Sequence, residues 1–237
     1  MSMPITEKLI LRQINHWNRL REFLNQPGSE PRPQRRPVIT VSRQAGSGGR
    51  ALAESLAATL DLQVHGRSLV ERIARDADLE TELVSRLDEH TVSQATLWVE
   101  GVLKQKIFMR TNYHVALVKA ITHLAAPGGV VFLGRGAELI LGDKADLRIR
   151  VVGSVKTRLE NIMRWTGLSR MESRTLLQET DRRRDDFIRS LFKVDPWNPV
   201  HYDLVLNADR LETVQMTEIA LDTLLQTGKT EEMAGRA

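Results

Sequence analysis

With 237 residues, 27% of them charged, and a formal charge of +4, the chain has the length for one sizeable α/β domain with a short extension. It contains no cysteine, which excludes disulfides, thiolate metal sites and a cysteine nucleophile. No apolar run reaches the about 20 residues of a membrane span, and the N-terminus lacks the basic-then-apolar form of a signal peptide, so a soluble cytoplasmic protein is expected.

Residues 5–26 set Ile10, Ile14, Trp17, Leu20 and Leu24 along one helical face, and Pro27-Gly28 closes that helix. Residues 29–37, rich in proline and arginine, read as a linker. Residues 1–36 therefore form an N-terminal arm, which packs on its own domain or on a second copy of the chain as a homodimer contact. The basic linker reads as solvated rather than as a nucleic-acid contact.

The next stretch, Ile39-Thr40-Val41-Ser42-Arg43-Gln44-Ala45-Gly46-Ser47-Gly48-Gly49-Arg50, carries a β-branched strand into a glycine-rich turn. A helix opens straight out of it over 51–60, with Leu52, Leu56 and Leu60 on one face. Strand, glycine loop and helix N-terminus make a phosphate cradle, because glycine permits close backbone approach while free N–H groups and the helix dipole attract an anion. In the common phosphate loop, G-x-x-x-x-G-K-[ST], lysine reaches the β/γ-phosphates and the hydroxyl holds Mg²⁺. Here Gly49 and Arg50 follow Gly48, so the positive charge falls to Arg50, Arg43 or an arginine from elsewhere.

Residues 61–67 read as a short strand and turn, 68–77 and 79–87 as helices, and 91–126 as one long helix or two in succession. Val130–Leu133 is an apolar run suited to a strand buried on both faces. Gly134-Arg135-Gly136 follows at its C-terminal end, where open parallel sheets bind ligands, and this position marks Arg135 as a ligand contact. A short helix over 137–141, a turn over 142–146, a strand over 147–152 and a helix over 154–165 come next. Ser169-Arg170-Met171-Glu172 is a capping box that opens a further helix. On it, Glu179–Arg183, Arg182–Asp186 and Asp185–Arg189 have ion-pair spacing, and three adjacent arginines point three ways, so that one or two can face a cleft. A loop over 195–199, a strand over 202–206, a helix over 211–225 and a disordered tail over 229–237 complete the chain. Strands alternating with helices predict a parallel sheet covered on both faces. The histidines show no i, i+4 pair, and no protein metal ligand is expected.

Four segments in order resemble the cytidylate kinase-like family, near the bacterial cytidylate kinases of the nucleoside monophosphate kinase group: S-R-Q-A-G-S-G-G-R at 42–50, G-R-G-A-E-L-I-L at 134–141, A-D-L-R-I-R-V at 145–151 and Y-D-L-V-L-N-A-D-R-L at 202–211. The resemblance implies that residues 37–228 are a P-loop kinase-like three-layer sandwich with a five-stranded parallel sheet, a helical acceptor-binding region and a lid. By the same resemblance Gly46, Ser47, Gly48, Gly49, Arg50 and Ala51 hold the donor phosphates, Arg67, Arg135 and Asp181 serve the acceptor, and Arg50, Arg183 and Arg184 neutralise charge during transfer. The activity implied is transfer of the γ-phosphoryl group of ATP to a nucleoside monophosphate, CMP or dCMP, with Mg²⁺ held through phosphates and water. The loop without lysine and Ser/Thr leaves two alternatives: a nucleotide-binding regulator without turnover, or a kinase of a non-nucleotide metabolite.

Overall fold

The computed structural model describes residues 36–75, 89–104 and 112–234. The N-terminal arm, most of the linker, the helix expected over 79–87 and the last three residues of the expected tail lie outside the described residues.

Five strands form one parallel sheet: β1 (Val38–Arg43), β2 (Gln63–His65), β3 (Val130–Leu133), β4 (Leu147–Val152) and β5 (Leu204–Asn207). Their spatial order is β2-β3-β1-β4-β5, which puts β1 at the centre. Val38 registers with Val130 on one side, and Ile39 registers with Leu147 on the other. A parallel strand inside such a sheet is apolar on both faces. Accordingly Val38, Ile39 and Val41 of β1, all of β3, and Leu147, Ile149 and Val151 of β4 are buried.

The two faces follow from the two-residue strand period. Val38, Val130 and Phe132 join a core with α2 (Arg67–Arg75), α3 (Glu89–Lys104), α4 (Asn112–Ala125) and α5 (Ala137–Leu141). Residues of opposite parity belong to the other face; α1 (Gly49–Leu60) packs against β1, β3 and α8 (Thr213–Ala234). Leu52, Ala53, Leu56 and Ala57 are the buried stripe of α1, as their spacing predicts.

α6 (Val155–Thr166) and α7 (Arg170–Phe192) form a helical pair, and Leu159, Ile162 and Leu177 pack on Ala45 of the glycine loop. The predicted capping box opens α7: Ser169 Oγ accepts from the Glu172 N–H, and Glu172 accepts from the Ser169 N–H. The segment 91–126 holds two helices, α3 and α4, with 105–111 between them outside the described residues.

Two expectations need correction. The last helix runs to Ala234, so residues 229–234 are helical rather than a disordered tail. Gly228 is tolerated inside a helix, and the Glu231-Glu232-Met233-Ala234 run that follows has good helix formers and no proline. Of the ion pairs expected on α7, Asp185–Arg189 forms at 3.9 Å, whereas Arg183 turns to the Glu179 main-chain carbonyl. No ion pair joins Arg182 to Asp186 among the described residues. Among the described residues no helix is long and apolar enough to cross a membrane.

Candidate functional site

The glycine loop leaves the C-terminal end of β1 and is fixed from its outer side. The Ala45 N–H donates to Asp181 Oδ1 at 2.7 Å, and Asn161 Nδ2 donates to the Gly46 carbonyl at 2.9 Å. Arg158 pairs with Asp181 and also donates to the carbonyls of Ala45 and Gly153. Gln44 Oε1 accepts from the Gly153 N–H at 2.9 Å. The Ser47 hydroxyl points inward to the carbonyls of Gln44 and Val151, at 3.0 and 3.2 Å.

With the outer side bonded, the loop presents backbone donors on its inner side. Gly48 caps α1 with φ +82°, and the first-turn N–H groups of Gly49, Arg50 and Ala51 have no partner within the helix. A cavity opens there, lined by Gly46, Gly48, Gly49, Arg50, Ala51 and Trp165. The Arg50 side chain is 80% exposed at its rim and pairs with Glu54 at 2.8 Å.

A second cavity adjoins the first, beyond the ends of β1 and β3. Arg67, Arg135, Arg150, Arg183, Arg184, Phe187 and Trp197 line it. Arg135 takes a left-handed φ of +64° in the G-R-G turn, and its guanidinium lies 4.3 Å over the Phe187 ring. Its Nη1 reaches Glu71 at 2.8 Å, while Arg67 pairs with the same carboxylate at 3.1 Å. Burial pushes the Arg135 guanidinium below the usual arginine range, and Glu71 opposes that shift. Arg184 donates to the Arg43 carbonyl at 3.0 Å, and burial lowers its pKa as well.

Of the residues expected at the site, the structure brings Arg67, Arg135, Arg183 and Arg184 to the second cavity and residues 46–51 to the loop, with Ser47 buried within it. Asp181 also borders the second cavity, but both of its oxygens are engaged by the loop and by Arg158.

Sequence reasoning missed Arg150, Glu138, Glu71 and Trp197. Arg150 sits on β4 and donates to Ser42 Oγ at 3.0 Å and to the Tyr202 hydroxyl at 3.1 Å, with Trp197 stacked 4.6 Å away. Its signal was a charge at the C-terminal end of an apolar strand, between Ile149 and Val151. Glu138 is buried on α5, and burial pushes its carboxyl pKa up against the pull of Arg150 and Arg43.

Loop, strand ends and arginine cleft all fall inside the span 38–210, which matches the model of the cytidylate kinase-like family. The chain belongs to that family. A relative of similar extent is the cytidylate kinase of Methanopyrus kandleri, 23% identical over 202 residues, which are 80% of this chain and 95% of that one. The uronate isomerase of Corynebacterium glutamicum is 30% identical over 100 residues, 42% of this chain, and the match spans only 19% of that protein's length. Among solved structures, an uncharacterized protein from Eubacterium ventriosum superposes with a TM-score of 0.63 at 17% identity, over 81% of this chain and 99% of that one. Within the cytidylate kinase-like family, this chain has a phosphate loop in which Gly49 and Arg50 stand where the common motif has lysine and Ser/Thr.

Proposed function

We propose that this protein transfers the γ-phosphoryl group of ATP to the phosphate of a nucleoside monophosphate, CMP or dCMP. One observation carries the reading: a cleft with six arginines along its wall adjoins a loop of open N–H donors, both at the C-terminal ends of parallel strands. Two anionic groups fit side by side there. The triphosphate lies on residues 46–51, and the acceptor phosphate lies between Arg67 and Arg135.

In this reading an acceptor phosphate oxygen attacks the γ-phosphorus. The bond from that phosphorus to the β,γ-bridging oxygen breaks, and ADP leaves with the electron pair. The acceptor oxygen is already anionic, so no general base is required. Arg183 and Arg184 neutralise charge as it spreads over the moving group, and catalysis is positioning plus electrostatics. The loop N–H groups suit the ATP phosphates. Mg²⁺ would be held through those phosphates and water, where it would offset their charge, while the Ser47 hydroxyl donates toward the Gln44 and Val151 carbonyls.

A second reading, nucleotide binding without turnover, draws support from Gly49 and Arg50 in the usual lysine and hydroxyl positions. Incubation with ATP, Mg²⁺ and a panel of phosphorylated and unphosphorylated acceptors separates the readings. ADP release with CMP or dCMP supports the kinase. Release only with another acceptor moves the substrate to that metabolite, and ATP binding with no release on any acceptor supports the second reading.

A further inference from the structure

Gly49 occupies the position at which the common phosphate loop carries its lysine, and the structure gives a steric reason for a glycine there. A Cβ on Gly49 would stand 2.5 Å from Arg43 Cβ and 3.1 Å from Arg43 Cγ. No side chain fits at position 49 while a Cβ stands at position 43. The far end of Arg43 passes close over Gly134, where φ is +81° and a Cβ would push Arg43 Nη1 aside. Two glycines from two different loops thus clear a passage for one arginine.

The passage leads to the junction of the two cavities. Arg43 and Arg184 are the cations that line both the loop cavity and the arginine cleft. The Arg184 guanidinium donates to the Arg43 carbonyl, which keeps two like charges close in a partly desolvated place. Among the described residues no carboxylate forms an ion pair with the Arg43 guanidinium, and buried Glu138 acts on it only from beyond that distance. A partly buried cation held beside another cation is stabilised by an incoming anion.

We propose that Arg43 replaces the phosphate-loop lysine and binds the β- and γ-phosphates of the donor, reaching them from the end of β1 rather than from the start of α1. The assignment rests on the donor site of the reading above and not on the identity of the acceptor. A guanidinium there offers parallel N–H donors, where an ammonium offers a point charge. Burial and Arg184 bring its pKa down to about 9, so it stays charged at neutral pH. Arg50, exposed and paired with Glu54, is left at the rim.

The test is titration calorimetry of the full chain with ATP and with inorganic tripolyphosphate, which removes any contribution from the base. Arg43→Gln keeps the aliphatic stem and drops the charge; it weakens both ligands about 10- to 100-fold, the scale of a lost charge-assisted hydrogen bond. Arg43→Lys loses less than Arg43→Gln, and Arg50→Ala changes affinity only about twofold, as befits an exposed charge. The swap Arg43→Gly with Gly49→Lys removes the Cβ that blocks position 49, puts the lysine there and recovers affinity that Arg43→Gly alone has lost. Unchanged binding by Arg43→Gln, a loss that follows Arg50→Ala instead, or a wild-type protein that binds neither ligand overturns the assignment. If wild-type protein binds ATP through Arg43 yet phosphorylates no monophosphate, the acceptor reading fails and the assignment stands.

Discussion

The two sides of the cleft are built from different materials. On the donor side the loop offers a ligand backbone N–H groups, the side chains of Asp181, Arg158 and Asn161 are spent holding it in shape, and Arg43 is the one side-chain contact proposed for the donor. On the acceptor side the contacts are long side chains, each drawn into position by an acid or a ring: Arg135 by Glu71 and Phe187, Arg67 by Glu71, Arg150 by Trp197. A backbone cradle is specified by local sequence, because glycine spacing and a helix start suffice. A side-chain cradle is specified by tertiary packing and leaves a weaker trace in the sequence. In the proposed reading the donor side is generic for phosphate, while selectivity for an acceptor falls to residues on α2, the turn after β3, β4 and α7.

Breaking the brace of the donor side gives the largest expected effect. Asp181→Ala removes the partner of Arg158, a residue only 4% exposed, and frees the Ala45 N–H. Stranding that buried charge costs about 3–5 kcal/mol in denaturant unfolding, with loss of ATP binding at temperatures where the chain stays folded. A normal midpoint for this variant would mean that the brace is not structural.

Arg135→Ala sharpens the contrast from the other side. Its side chain is 13% exposed and aimed at the cleft, so kcat/KM for the acceptor falls about 10- to 100-fold, with higher KM and lower kcat, while the affinity for ATP holds. Equal losses for both substrates would abolish the division between the two sides.

The smallest effect concerns the scaffold beneath both. Burial is the leading cause that lowers the pKa of His65, His114 and His201 from 6.5. Below pH 6.5 the unfolded chain binds these protons more readily than the native one, so stability falls as the medium becomes more acid. Melting temperatures at pH 7.5 and pH 5 measure the slope. His65→Leu, which keeps an apolar group beside Phe132, gives a shallower one. A slope identical to that of wild type removes His65 from the account.

What the sequence made legible follows the same division. Val130–Leu133 and Leu147–Val152 announce themselves as buried strands because a central parallel strand needs apolar residues on both faces. The loop at 42–50 is equally plain, since its glycines have a backbone task. Asp181 was expected to serve the acceptor, yet it braces the loop. Helical periodicity gives the angle of a side chain around its own axis, and not which neighbouring segment will meet it. Arg150 and Glu138 were harder to read for a related reason: a charge inside an apolar run is informative only when its partners are known, and those come from β1, β4 and the turn before β5.

α7 runs unbroken for 23 residues. Along that one rod Asp181 grips the loop, Arg184 stands between the cavities, Phe187 underlies Arg135, and Phe192 fills the space that a side chain on Gly136 would need. In the proposed reading one rod borders both substrate sites, so occupancy of the arginine cleft is expected to change affinity at the glycine loop, and thermodynamic reciprocity then requires the same change in the other direction.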